Sequence, residues 1–261
     1  MNISVAFGFG ARIRSASRFV AVRALDALLP PLCLLCDTPV AKPGGLCATC
    51  WSNMPFITAP RCARLGTPFS HDVGADALSP RAMTDPPAFD RARAVARYSG
   101  SARDLVLAFK FGRRRELAGP MGRWMSGAGA EIVTEQSLLI PVPLHRGRLW
   151  RRGFNQAADL ARAVAVQSGA EFAPFVLHRR RRTRPQVGLD AAGRLKNTRG
   201  AFDVDSSNIP NVLGRSIVLV DDVYTTGSTV TACTRVLKRA GAASVDVLAF
   251  AIADPLDADR T

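Results

Sequence analysis

No run of 18 apolar residues occurs in this chain, so no segment reads as a helix that spans a bilayer. Residues 1–29 lack the uninterrupted apolar stretch and the cleavage site that an export signal requires. With nothing to mark export, the expectation is a cytoplasmic protein whose cysteines stay reduced. Acidic residues are scarce: 21 Asp and Glu stand against 35 Lys and Arg, a formal charge of +14. Polyanions are therefore the natural partners. Aromatic residues make up 7% of the chain, and near its most basic block Phe154, Phe172, Phe175 and Phe202 are spread thinly. That is a thin supply for the stacking platform of a single-strand nucleic-acid binder. An internal repeat, an obvious general base and a recognisable nucleobase pocket are missing as well.

What is present is enough to bury a sizeable core: 261 residues, 48% of them hydrophobic, suit one full domain and a small one. Residues 1–27 are predicted to form an amphipathic helix. Phe19, Val22, Leu25 and Leu29 line one side, and Arg12, Arg14, Arg18 and Arg23 interrupt the apolar groups. That stripe packs on the protein's own body or lies on a membrane surface. The basic charge concentrates between His145 and Arg199, with 13 Lys and Arg against Asp159, Glu171 and Asp190. Such a block is ordinarily a solvated face, unless an anion site lies in the same domain.

Four of the six cysteines form two knuckles, Cys33-Leu34-Leu35-Cys36 and Cys47-Ala48-Thr49-Cys50. Two such pairs can bring four thiolates into a tetrahedron around Zn2+, and Pro43-Gly44-Gly45 supplies the reversal between them. With four protein ligands the zinc would be structural. A thioredoxin-type redox role needs one such pair, not two. Cys62 has no partner, because Leu65 stands where a further knuckle would close. It and His71 are expected to be structural, and Cys233 is expected to be a buried thiol.

The richest stretch runs from Ile217 to Thr229. Ile217-Val218-Leu219-Val220 reads as a strand buried on both faces that runs into Asp221-Asp222. Thr225-Thr226-Gly227-Ser228-Thr229 then leads to a helix with Val230, Cys233, Val236 and Leu237 on one side. Unpaired N–H groups at a helix start, four hydroxyls and a permissive glycine make a phosphate cradle. Two adjacent carboxylates at a strand's end repel unless they accept hydrogen bonds from vicinal hydroxyls or face a hard cation such as Mg2+. The plainer alternative is a hydrophobic strand ending in a capped polar turn.

Three more segments bear on chemistry. Leu138-Leu139-Ile140-Pro141-Val142-Pro143 reads as a core strand with a stiff exit, followed by a basic turn with Arg151, Arg152 and Gly153 and a helix from about Asn155. Lys110 lies between Phe109 and Phe111 at the end of a helical pattern, where it either reaches an anion site or snorkels to solvent. The arginine-rich stretch from Leu177 to Ala201 shows almost no apolar periodicity and reads as a long loop.

The Asp221–Thr229 segment resembles the phosphoribosyl-pyrophosphate (PRPP) loop of type I phosphoribosyltransferases. With the knuckles, Phe109-Lys110-Phe111, Pro141 to His145, Arg151 to Gln156 and Thr183 to Leu189, the chain resembles the ComF family of competence-associated proteins from about Leu28 to Ala253. The resemblance implies an α/β fold with a mainly parallel sheet and an N-terminal zinc ribbon. The implied domains are a helix at 1–27, the ribbon at 28–70, a linker at 71–90 and the phosphoribosyltransferase-like domain at 91–255. It also implies that Asp221 and Asp222 hold the ribose hydroxyls, that Thr225, Thr226, Gly227, Ser228 and Thr229 wrap the 5′-phosphate with Val223 and Tyr224 in the same ligand-binding loop, and that Mg2+ accompanies PRPP. Arg151 and Arg152 would then meet the pyrophosphate and Lys110 would be a cation aimed at the anion site, under a lid that includes Thr183, Arg184, Gln186, Arg194 and Asn197. Transfer of a phosphoribosyl group is one implied function. The other is a non-catalytic accessory that contacts single-stranded DNA, or docks to a helicase or another DNA-processing protein, during DNA uptake. Relatives carrying more cysteines form a double zinc ribbon; the chain lacks thiol partners for Cys62.

Overall fold

The structure is a computed structural model that describes residues 30–112, 114–145, 147, 149–150, 153–180 and 200–253. The helix predicted over 1–27 lies outside them. The chain forms two compact units that divide between Trp51 and Ser52. Among the described residues no helix is long and apolar enough to cross a membrane.

In the first unit Cys33 opens a tight turn in which its N–H donates to the Thr38 carbonyl at 2.8 Å. Leu32 and Pro39 close that turn as an antiparallel bridge. Helix α1 (Ala48–Ser52) follows the second knuckle.

The second unit repeats this plan, which corrects the expectation of no internal repeat. The Cys62 N–H donates to the Thr67 carbonyl at 2.8 Å, and Arg61 and Pro68 form the matching bridge. Helix α2 (Pro80–Thr84) follows, capped by Ser79. The repeat escapes a sequence search because few identities survive, chiefly Pro60, Cys62, Thr67 and Pro68 for Pro31, Cys33, Thr38 and Pro39, and the other three knuckle cysteines have no counterpart.

The main body is a five-stranded parallel sheet in the order β1-β7-β6-β2-β3. Its strands are β1 (Ala92–Arg97), β2 (Leu138–Pro141), β3 (Glu171–Phe172), β6 (Ser216–Tyr224) and β7 (Ser244–Ile252). Between β3 and β6 a small antiparallel pair forms, β4 (Leu177–Arg179) with β5 (Phe202–Val204). The central strands read as near-continuous apolar runs because both their faces are covered. Helices α3 (Gly100–Phe111), α4 (Ala118–Ala128) and α5 (Gln156–Ser168) connect β1 to β2 and β2 to β3, and α6 (Ser228–Arg239) connects β6 to β7.

Strand alternation decides which helix each residue meets. Phe250 faces α4, its ring 6.2 Å from that of Trp124. Ile217, Leu219, Val247 and Ala249 face the other way, into the cluster that buries Val230, Cys233 and Leu237 of α6. α4 and α5 pack together on one side of the sheet, and α6 covers the other.

Candidate functional site

The chain leaves β6 through α6 toward β7 and leaves β2 through α5 toward β3, so neighbouring strands part in opposite directions. A crevice opens at such a switch point, outside the carboxyl ends of the strands. β2 stops opposite Val220, whereas β6 continues beside β7 as far as Tyr224. The strand therefore outruns the apolar run Ile217–Val220, and both carboxylates emerge on it where β2 no longer covers its flank.

Adjacent strand residues face opposite ways, and the two aspartates follow that rule. Asp222 meets α3: Lys110 Nζ lies 2.8 Å from its Oδ1, and the two side chains are 18% and 12% exposed. Asp221 is half-buried and accepts the N–H of Asp222 at 2.9 Å. Its burial, followed by the charge of Asp222, pushes the Asp221 carboxyl up to about 7, against the pull of Lys110 and Arg179. A carboxyl poised there changes charge readily when a cation or hydroxyl donor arrives.

Past Tyr224 the chain turns through Thr225 and Thr226 into Gly227, which has φ 78°. A Cβ at that position would stand 2.9 Å from the Tyr224 hydroxyl, so both the conformation and the close approach call for glycine. Gly227 is the N-cap of α6 and supplies no side chain to it. The first turn of α6 thus meets this loop with the positive end of the helix dipole. Thr226 Oγ1 and Ser228 Oγ stand 3.2 Å apart over this turn, and Thr225 is exposed. Tyr224 itself is buried, edge-on to Phe89 at 5.9 Å, and supports the loop from the core side.

On the β2 side Asn155 secures the start of α5. Its Oδ1 accepts from the Ala157 N–H at 3.2 Å, and its Nδ2 donates to the Val142 carbonyl at 3.2 Å. Phe154 packs against Phe109 at 5.7 Å between ring centres, with Arg115 5.1 Å over its ring. That contact holds the end of α3 from which Lys110 reaches Asp222. Arg151, Arg152, Thr183, Arg184, Gln186, Arg194 and Asn197 lie outside the described residues.

One contact has no counterpart in the sequence reading. Arg81 of α2 donates from Nη2 to the Thr226 carbonyl at 3.3 Å.

In the first unit the sulfurs of Cys33, Cys36, Cys47 and Cys50 all lie within 4.8 Å of one another. Cys36 Sγ is 3.5 Å from that of Cys47 and 3.6 Å from that of Cys50. Four sulfurs at about 2.3 Å from a tetrahedral zinc stand about 3.8 Å apart, so this donor set fits the ion and leaves no position open.

Residues 24–81 match the double zinc ribbon domain, and residues 149–258 match the phosphoribosyl transferase domain. The DNA utilization protein YhgH of Shigella flexneri is 35% identical over 225 residues, which cover 84% of this chain and 96% of that protein. Competence protein F of Haemophilus influenzae is 27% identical, again over 84% of this chain and 96% of its own length. This chain belongs to the ComF family. A third ComF relative, competence protein ComFC of Bacillus subtilis, is 28% identical over 82% of this chain and 91% of that one. Within the ComF frame the parallel α/β sheet is a phosphoribosyltransferase domain and the four-cysteine cluster is a ribbon's structural zinc site.

Proposed function

We propose that this ComF protein binds PRPP, or a ribose 5-phosphate nucleotide, together with Mg2+ in the crevice between β2 and β6. The reaction proposed is transfer of the phosphoribosyl group to an amine or a nucleobase with release of pyrophosphate, in the service of DNA uptake or use. The carrying observation is the placement of Asp221-Asp222 and the Gly227-capped helix side by side at the switch point of the sheet.

In this reading the first-turn N–H groups of α6 and the hydroxyls of Thr225, Thr226, Ser228 and Thr229 receive the 5′-phosphate. The ribose 2′ and 3′ hydroxyls donate to Asp221 and Asp222. Lys110 holds Asp222 in place through the 2.8 Å contact of its Nζ with Oδ1. The paired carboxylates also favour the positive charge that develops at the ribose C1 as the bond to pyrophosphate breaks. Mg2+, when bound, supplies charge neutralisation for the departing pyrophosphate. Arg151 and Arg152, which precede α5 in sequence, and the 183–189 segment are the cations and cover proposed for that side.

Titration calorimetry of PRPP with Mg2+ into the zinc-loaded protein tests the reading, with Asp221→Asn/Asp222→Asn as control. Saturable binding that disappears in the double variant supports it, and absence of binding at millimolar PRPP overturns it. A second reading, a non-catalytic accessory that contacts single-stranded DNA or docks a helicase through the ribbon, draws on Trp150, which is 91% exposed beside the basic segment. Loss of single-strand affinity in Trp150→Ala at constant salt favours that reading, whereas a pure salt dependence reduces it to counterion release.

A further inference from the structure

A double zinc ribbon implies two metal sites, and the two ribbons here superpose in their bonding closely enough to ask residue by residue whether the second can hold one. The first turn of each ribbon has the same bridge, Leu32 with Pro39 and Arg61 with Pro68. Each has the same outer bond, Val40 N–H to the Pro31 carbonyl at 2.8 Å and Phe69 N–H to the Pro60 carbonyl at 2.9 Å. Each has a left-handed residue at the tip, Asp37 with φ 57° and Gly66 with φ 67°. The second knuckles correspond as well. The Cys33 sulfur accepts the Cys47 N–H at 3.3 Å, and the Cys62 sulfur accepts the Ser79 N–H at 3.2 Å. A short helix begins one residue later in both, at Ala48 and at Pro80.

This register equates Cys33 with Cys62, Cys36 with Leu65, Cys47 with Ser79 and Cys50 with Ala82. Three of the four ligand positions therefore lack a thiol. Leu65 and Ala82 are 2% and 3% exposed and share the core cluster with Cys62, Ile57, Phe89 and Ala92. Apolar packing occupies the place where a metal would sit. Among the described residues the cysteines at 33, 36, 47 and 50 are the only group of three or more metal-binding side chains close enough for one ion. His71 is exposed and bonds to the Ser70 hydroxyl.

What the second ribbon has instead is a mount on the sheet. Ala92, the first residue of β1, donates to the Arg64 carbonyl at 2.7 Å, and Arg93 donates to the Ala63 carbonyl at 2.9 Å. Glu131 pairs with both Arg61 and Arg93. A Cβ on Gly66 would lie 2.3 Å from the Ala92 carbonyl, so the knuckle tip is pressed onto the strand. From that fixed base α2 delivers Arg81 to the Thr226 carbonyl, one residue before the Gly227 cap. The corresponding residue of the first ribbon is Thr49.

We propose that the second ribbon, residues 61–84, binds no metal and acts as an apolar brace that holds the Thr225–Thr229 loop through Arg81. The metal half stands whether or not PRPP binds, and the brace half is read out on the ligand-free protein, so failure of either is distinguishable from failure of the proposed function. Metal analysis of the full chain, purified without chelator, should find one zinc per chain. Cys62→Ser should keep that zinc, and Cys50→Ser should lose it. Two zinc ions per chain in the native protein, or loss of zinc from Cys62→Ser, would overturn the metal-free ribbon. Hydrogen exchange on ligand-free Arg81→Ala should show amides of 225–229 exchanging about tenfold faster, with the zinc content unchanged. Unaltered exchange in that loop would overturn the brace.

Discussion

Asp221 carries a sign that experiment can check. Its carboxyl is pushed up to about 7 in the folded chain, above the ordinary value of 3.8. The folded state thus holds this proton more tightly than the unfolded state does, and the group's contribution favours folding at low pH. That contribution is complete below about pH 4 and is lost as pH rises through about 7. The melting temperature of Asp221→Asn should therefore gain on the wild type between pH 5 and pH 8, most at the alkaline end. Equal pH slopes for the two proteins would contradict this account. In the proposed function the ionised form is the one that meets Mg2+ and the ribose, so PRPP affinity should rise over the same interval and flatten in the variant. Gly227 is the other residue whose geometry is specific. Alanine there meets both a left-handed backbone and the Tyr224 hydroxyl, and the backbone alone costs about 1–2 kcal/mol. Gly227→Ala should lower denaturant stability by at least that much, and phosphate-ligand binding should fall further than stability does.

At the scale of elements, two helices aim the groups that surround the crevice. The Lys110–Asp222 pair joins the end of α3 to β6 with both side chains largely covered. Removing one partner leaves a buried charge alone, which costs about 3–5 kcal/mol. Lys110→Met should destabilise on that scale, and Lys110→Met/Asp222→Asn should recover part of the loss in a double-mutant cycle. Asn155→Ala removes the α5 cap at about 1 kcal/mol and frees the Val142 carbonyl beside the crevice. The elements themselves were legible in sequence where local pattern suffices. α6 shows its apolar stripe at Val230, Cys233 and Leu237, and α5 its start near Asn155. The extension of β6 to Tyr224 was not legible, because polar Asp221 and Asp222 stay in the strand through pairing with β7, a partner supplied by the fold. The second ribbon was hidden for a related reason: Leu65, Ser79 and Ala82 keep the path of the chain after the cysteine signature has gone. Arg81 lies 145 positions from Thr226, and no spacing rule reaches that far.

Across the whole molecule the zinc and the phosphate loop belong to different compact units, and each ribbon is stabilised in its own way. Residues 33–50 have few covered apolar side chains, Cys33 and Leu34 among them, so their fold leans on four thiolates converging on one ion. Structural zinc supplies on the order of 10 kcal/mol in such small domains. Residues 61–84 lean on Cys62, Leu65 and Ala82 packed into the core and on backbone bonds to β1. Stripping the metal with a strong chelator should therefore melt one ribbon and spare the other. Followed by hydrogen exchange, amides of Cys33, Leu34 and Val40 should lose protection at once. Those of Cys62, Phe69 and the central strands β6 and β7 should keep it. Simultaneous melting of both knuckles would mean that the second depends on metal after all. Melting of β6 and β7 as well would mean that the phosphoribosyltransferase sheet draws its stability from the zinc, and the two-unit division would lose its energetic meaning.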